Sequence, residues 1–269
     1  MRPARGCPLG SDPLLWLDAA ALRGQRWDPG YWDPRLRDPL AGCVHPLATL
    51  GDFVAADGIT YGRILPGRRP PVGEGPLYVT QKAVRPTGLD LTRCARIAEG
   101  CDWDTARARI RPGDLLIPRS GVATLARGVM SIFLEDEPAV VDCFTDRVSL
   151  DGYPSPVATL FLRARPGWLQ IYRQINGVGP PNLSFDEIRG LRLPMFPSDV
   201  RQAHLEAYAR VHLAHLAWIA RQRVCAEVGL DPASDDHAGE LRRAAQRALR
   251  VAVLGVERSV FDPDCRDMS

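Results

Sequence analysis

Residues 111–121 read Arg-Pro-Gly-Asp-Leu-Leu-Ile-Pro-Arg-Ser-Gly. Pro112-Gly113 is a turn signal, and Asp114 to Ile117 is a short, mostly apolar strand. Pro118 has no N–H to give to a ladder and ends the strand, so Arg119-Ser120-Gly121 is delivered onto the loop beyond it. A second stretch, 177–202, holds Gly-Val-Gly-Pro-Pro-Asn-Leu-Ser-Phe-Asp-Glu-Ile at 177–188, Leu-Arg-Leu-Pro-Met-Phe-Pro at 191–197, and Arg201-Gln202. It reads as a loop stiffened by Pro180-Pro181 and then a helical turn. Ser184 caps that turn, with Glu187 three residues on, which is the capping-box spacing. A strand closed by prolines and the start of a long helix follow.

Outward from these two stretches the chain is mixed α/β. Residues 1–40 are rich in proline and tryptophan, with a short helix expected over 14–22. In Arg26-Trp27-Asp28-Pro29-Gly30-Tyr31-Trp32-Asp33-Pro34 the prolines forbid a helix and the aromatics want burial. The expected form is a lead-in segment pinned by Trp27, Tyr31 and Trp32. A short element over 47–54 is expected to end at the turn signal Asp57-Gly58. A glycine- and proline-rich loop at 62–75 and a strand at 77–80 come next. Segments 128–134 and 139–150 alternate well enough for two strands, with the acidic turn Glu135-Asp136-Glu137 between them. Helical spacing over 156–165 and 167–175 turns Val157, Leu160, Phe161, Leu169, Tyr172 and Ile175 toward a core.

The C-terminal part is helical. Ser198-Asp199 is read as the cap of a helix running to about Val228, with Leu205, Tyr208, His212, Leu216 and Ile219 as its apolar stripe. Residues 229–234 break the chain. A second helix over 235–257 carries Leu241, Ala245, Ala248, Leu249, Val251 to Val253 and Val256. An antiparallel helical pair, or a helix that seeks a partner, is the expectation.

Composition excludes several classes. No window approaches eighteen uninterrupted apolar residues, and no apolar run follows the N-terminal arginines, so neither a membrane span nor a secretory signal is expected. The seven cysteines are odd in number and contain no Cys-x-x-Cys, which points to reduced thiols in a cytoplasm. Net charge is only +2, so charge alone does not argue for a nucleic-acid partner. Lys82 is the only lysine. A P-loop lysine and the lysine of the common restriction-nuclease core are therefore missing. Asn-Pro-Pro-Tyr-like, Asp-Pro-Pro-Tyr-like and Gly-x-Ser-x-Gly segments are absent as well. The remaining strong bases are arginines, whose planar fork suits guanine edges and phosphates.

Few residues stand out as candidates for chemistry. His212 and His215 are spaced for a shared metal, but no third ligand accompanies them, and surface or stripe histidines are the plain reading. Asp142, Asp146 and Asp151 read as solvated or ion-paired strand residues. Arg119 and Ser120 sit at a strand end beside exposed backbone N–H groups, which is suitable equipment for positioning phosphate; the plain alternative is a turn. Asn182 and Gln174 have amides that read adenine edges or simply close a loop. Thr60, Tyr61 and Arg63 within 57–63, Arg68-Arg69 in the next loop, and Lys82 complete the candidate DNA-contacting set, with solvated loop as the plain alternative.

The ordered signals resemble the DNA target recognition domain of type I restriction-modification specificity subunits, over about residues 26–225. They are the Tyr31-Trp32-Asp33-Pro34 lead-in, Pro-Leu-x-x-Leu-Gly-Asp at 46–52, Gly-Pro-Leu-Tyr-Val at 75–79 and the 112–121 segment. Arg-Val-x-Leu at 147–150, Asn-Leu-Ser at 182–184, Leu-x-Leu-Pro-x-x-Pro at 191–197 and the helix entered near Gln202 follow. The resemblance implies a mixed α+β (α/β) target recognition domain over 41–197, after a lead-in at 1–40 and before a helical spacer or dimerisation region at 198–269. It implies sequence reading rather than catalysis, with no cofactor and no metal. The implied partners are double-stranded DNA, an adenine methyltransferase subunit, and a restriction subunit as a further candidate. Coiled-coil-like pairing into a homodimer through 198–228 is a second form of association, in a cytoplasmic phage-defence setting. A full subunit of that family has two recognition domains, whereas this length has room for one. Two alternatives stay open: a protein–protein scaffold derived from this fold without DNA binding, and an enzyme built on the acidic strand residues with Arg119 and Lys82.

Overall fold

The computed structural model describes residues 31–121, 123–175 and 182–262. Trp27, the helix expected over 14–22 and the 177–181 loop lie outside the described residues. Helix α1 (Pro34–Arg37) leads to strand β1 (Leu47–Thr49), a 3-10 turn, β2 (Val54–Tyr61) and β3 (Val72–Val79). The hairpin β4 (Val84–Arg85) and β5 (Gly88–Leu89) is followed by β6 (Ala95–Ile97), β7 (Arg109–Ile110) and β8 (Leu115–Pro118). Then come β9 (Ser131–Ile132), β10 (Ala139–Val141), β11 (Thr145–Leu150), α2 (Ser155–Arg163), α3 (Arg165–Gln174), α4 (Phe185–Arg189) and β12 (Arg192–Pro194). The long helices α5 (Ser198–Glu227) and α6 (Asp236–Phe261) close the described chain.

Strand β8 is the wall between two cores. Its sheet has the order β2-β11-β8-β9, and a second sheet has the order β6-β3-β10-β7. All four β8 residues are buried. Successive side chains point to opposite faces, so Leu115 and Ile117 enter a core with α2 and α3, while Leu116 enters the core beneath the second sheet. Burial of each such side chain is worth about 1.5–3 kcal/mol, which holds the two sheets back to back. The turn before β8 is fixed by Asp114, whose carboxylate accepts the Arg111 N–H at 2.8 Å and the Ser149 hydroxyl at 2.5 Å.

Several expected boundaries move for tertiary reasons. Asp57-Gly58 is not a turn but a bulge inside β2, where the pairing with β11 shifts between Val148 and Leu150. Arg147 stabilises that bulge by donating to the Asp57 carbonyl at 2.9 Å. Asp57 takes a φ of 54° there. The 57–63 segment is thus largely strand rather than solvated loop. The single strand expected over 139–150 is two: β10 pairs with β3 and β7, whereas β11 pairs with β2 and β8. The chain changes sheets at Asp142–Cys143–Phe144. The first of the two expected strands shrinks to β9, and β3 begins earlier than expected, running through Gly73 and Gly75. The capping box at Ser184 and Glu187 is formed as expected. Pro197, not Ser198 or Asp199, is the cap residue of α5, and no side chain caps it.

Helices α5 and α6 fold back on each other. His204 near the start of α5 bonds Ser259 near the end of α6 at 2.9 Å, and Arg221 near the far end of α5 binds Asp235 at 2.7 and 3.1 Å. Asp235 also caps α6, accepting the Ala238 N–H at 3.0 Å. The buried face of α5 is Ala207, Tyr208, Val211, His215 and Ile219 with His204 and Cys225, so the expected stripe is displaced. Leu216 is 41% exposed and His212 is half-buried. Residues of α6, among them Leu249, Val256 and Val260, share a core with β2, β8, α2 and α3, so the helical pair is packed directly on the α/β part. The lead-in is held as expected at Tyr31, whose carbonyl accepts from Arg173 Nε at 2.9 Å with the guanidinium 4.2 Å from the ring centroid.

Candidate nucleic-acid interface

The two sequence stretches meet at one edge of the β2-β11-β8-β9 sheet. Ser120, just beyond β8, forms an isolated antiparallel bridge with Asn182. Gly121 then takes a φ of 112° and turns the chain away, while Thr124 donates to the Ser120 carbonyl at 2.7 Å. Tyr61, Asp146 and Ile117 are cross-strand neighbours, so they share a face, and Arg119, two residues beyond Ile117, joins them. The Arg119 guanidinium lies 3.9 Å from the Tyr61 ring centroid and 5.9 Å from that of Phe185 on α4. It is a cation–π contact of the kind that leaves the guanidinium N–H edge free to donate.

Asp146 lies beneath this stack. It is fully buried, and neither carboxylate oxygen has a hydrogen bond. Its ion-pair partner is Arg119, with Nε 3.5 Å from Oδ1. Burial pushes the Asp146 pKa up to about 7, and the nearby positive charge of Arg119 only partly offsets this. Arg119 also lowers the pKa of the Tyr61 phenol, first through its interaction with the phenol oxygen and then through its charge, despite opposition from burial. Of the two readings of these strand carboxylates, solvated or ion-paired, Asp146 takes the ion-paired one, though buried. Asp142 is buried without an ion pair among the described residues, and its pKa is raised by that burial.

On the opposite face of β2 and β11, Thr60 accepts from Arg107 Nε at 2.7 Å, and Arg107 wraps the edge strand to reach 4.7 Å from the Tyr61 ring centroid. Arg107, Arg147 and Thr60 line a depression of about 510 Å³. Arg107 and Arg147 have no carboxylate partner among the described residues. The turn between β10 and β11 completes the edge: the Phe144 carbonyl accepts the Arg119 N–H at 2.8 Å, and the Phe144 ring is 52% exposed. Asp142 accepts the Gly62 and Gln81 N–H groups, through its carbonyl and carboxylate respectively, which brings the segments bearing Arg63 and Lys82 alongside.

The structure thus gathers Thr60, Tyr61, Arg119, Ser120 and Asn182, with Arg63 and the exposed Lys82 on adjoining segments. Arg63 and Arg68 are both tied to Asp102, at 3.7 and 2.7 Å. Arg69 is exposed on the same loop. Gln174 sits apart, in a depression with Asp38 and Arg192. Arg107, Phe144 and Phe185 were not singled out from the sequence, and Asp146 was noted there only as a solvated or ion-paired strand residue.

Both ring nitrogens of His215 are within hydrogen-bond distance of the hairpin, at Leu89 and Thr87. Among the described residues no group of three or more His, Cys, Asp or Glu side chains could hold an ion. No described helix is long and apolar enough to cross a membrane.

This is a mixed α/β chain with an arginine-rich sheet edge and a long C-terminal helix pair. No family model matches the sequence, and no curated protein matches it. Solved structures similar to it come from type I restriction-modification systems. One, described as the structural basis of complex assembly and conformational transition of such a system, has a TM-score of 0.44 and 15% identity, covering 86% of this chain and 47% of that one. The S subunit from M. genitalium has a TM-score of 0.42 and 9% identity, covering 69% and 44%. The HsdS subunit from Thermoanaerobacter tengcongensis has a TM-score of 0.40 and 13% identity, covering 89% and 47%. The chain spans about half the length of these proteins.

Proposed function

We propose that this chain is a DNA sequence-recognition module of a restriction-modification or related defence system, directing a methyltransferase or nuclease partner to its target. The observation that carries the reading is the Ser120–Asn182 bridge. Two motifs some sixty residues apart, read together in the sequence as parts of one recognition domain, meet at a single edge with Arg119, Arg107 and Tyr61. In this proposal residues 41–197 read DNA, 198–269 space or pair the recognition domain, and 1–40 lead in. The chain itself carries no catalysis and works in the cytoplasm beside its methyltransferase.

The test is retention of duplex DNA by the full chain at low salt, with and without the methyltransferase partner. Affinity alone is expected at about 10⁻⁴–10⁻⁶ M at physiological salt, the range of non-specific contacts. Arg119→Ala is expected to weaken all sequences about equally, by about tenfold, because a strand-end arginine positions phosphate. A changed sequence preference at constant affinity would instead assign Arg119 to base reading. Absence of DNA retention under every condition would leave the scaffold reading. That reading is favoured by one feature: Arg63, Arg68 and Arg119 already hold internal carboxylates.

Association is proposed to use the outward side of α5, where Leu213 and Leu216 are 66% and 41% exposed. Leu216→Asp is expected to change stability by less than about 0.5 kcal/mol, as surface substitutions do, while weakening self-association or methyltransferase binding. Sedimentation and pull-down with the methyltransferase check it. Unchanged association would reduce α5 to domain packing.

A further inference from the structure

A second polar cavity lies where the β4–β5 hairpin meets the helical pair, and it is independent of the DNA reading. The hairpin is clamped to α5 by His215, which is 1% exposed. Its Nε2 lies 2.8 Å from the Leu89 carbonyl and its Nδ1 2.9 Å from the Thr87 hydroxyl. A carbonyl only accepts, so Nε2 carries the proton and Nδ1 accepts from Thr87. This fixes the neutral ring and makes the junction rigid.

The resulting cavity of about 280 Å³ is lined by Arg85 and Arg93 from the hairpin side, Trp218 and Gln222 from α5, and Arg242 and Gln246 from α6. Three guanidinium groups face one carboxylate, that of Asp90. Its two oxygens are already taken by the Thr92 hydroxyl and by Arg93 Nε at 2.9 Å. The Arg85 guanidinium stands 3.9 Å from it and makes no side-chain hydrogen bond among the described residues. Burial, and then the charge of Arg93, hold Arg85 below its ordinary pKa. Arg242 makes no ion pair among the described residues. The cavity therefore holds an excess of about two positive charges, with unused planar donors, amide groups and one flat aromatic wall.

We propose that this cavity binds a small phosphate monoester, of mononucleotide size or less, with its dianion gripped by Arg85, Arg93 and Arg242 and its organic part against Trp218. Arginine forks match phosphate oxygens in pairs, and a dianion neutralises the excess charge. The glutamine amides donate to the remaining oxygens, and the indole offers an apolar face to a ring.

Calorimetric titration of the full chain with adenosine monophosphate and with inorganic phosphate, at constant ionic strength, tests the proposal. Both are expected to bind at one site, the nucleotide more tightly. Arg85→Gln and Arg242→Gln are each expected to weaken both by about tenfold, the loss of one charge-assisted contact. Trp218→Phe should remove the fluorescence change on nucleotide binding. Arg242 is exposed on α6, so its variant should keep the wild-type circular dichroism and melting temperature. No binding of either probe, or binding indifferent to Arg242→Gln and Arg85→Gln in folded variants, overturns the proposal. A short duplex arm separates the sources of phosphate: if Arg242→Gln weakens duplex binding while neither small probe binds, the cavity is a DNA contact and the proposal fails.

Discussion

Asp146→Asn is expected to abolish a fall in stability with rising pH that the wild-type chain shows between about pH 4 and 7. The folded carboxyl has its pKa pushed up to about 7, from an ordinary value of 3.8. Between those values the folded chain holds a proton that the unfolded chain has released. Stability therefore decreases as pH rises through this window, and the full penalty is present above it. The linked free energy is at most about 4 kcal/mol, and the asparagine should recover much of it at about pH 8 and none at about pH 4. Denaturant unfolding of both proteins across that range measures it; parallel curves would mean that Asp146 is ionised without penalty. The same residue links to the proposed function. If a DNA phosphate draws Arg119 away from Asp146, the carboxyl loses its partner and takes up a proton. DNA affinity should then strengthen as pH falls toward about 7, by up to about tenfold per pH unit, and level off below that, where the free chain already holds the proton. In Asp146→Asn that slope should be lost. A wild type whose stability follows the expected pH curve but whose DNA affinity is flat would keep Arg119 on Asp146 in the complex.

Gly62→Ala is expected to be the most damaging single-methyl change near the proposed interface. Gly62 follows β2 and donates to the Asp142 carbonyl at 3.0 Å, where the chain passes from β10 to β11. A Cβ there would stand 1.9 Å from the Val141 carbonyl oxygen and 2.9 Å from the Asp142 carbonyl carbon. Both are backbone atoms, Val141 at the end of β10 paired to β3 and Asp142 in the connection fixed between the two sheets, so neither yields cheaply. A loss of about 3 kcal/mol or more is expected, which for a chain of this size lowers the melting temperature by about 10 °C. Gly67→Ala is the control: a φ of 72° with open space around it carries conformational strain alone, about 1 kcal/mol. Equal losses in the two variants would mean that the sheets separate freely at Gly62. Loss of DNA retention in a still-folded Gly62→Ala chain would tie the sheet contact to the placement of Tyr61 and Arg63.

Local patterning carried much of the architecture. The turn, apolar run and proline at 112–118 specify β8, because each is a constraint on a few consecutive residues. Ser184 and Glu187 specify α4 for the same reason, and the break at 229–234 specifies a helical pair that folds back. Arg119, Ser120 and Asn182 were legible as a set only because the two motifs carrying them were read together.

The rest needed the tertiary structure. An alternating pattern over 139–150 cannot reveal that the chain changes sheets at Asp142, since both halves alternate correctly. Helix α5 has apolar or small residues on several sides, so periodicity left its phase open. The Thr87 and Leu89 partners of His215, with Ser259 on His204, rotated the buried face away from His212 and Leu216. Asp146 is the sharpest case. As a residue type it belongs in water, and no neighbour in sequence argues otherwise. Its burial follows from pairing beside Ile117 on the face that α2 and α3 cover, and its raised pKa from that burial, which the single arginine within 3.5 Å only partly offsets. Sequence by itself determined β8, the capped turn of α4 and the two long helices, which depend on contiguous residues. Only the packed structure decided which charges lose their water, because desolvation depends on everything that packs around a group.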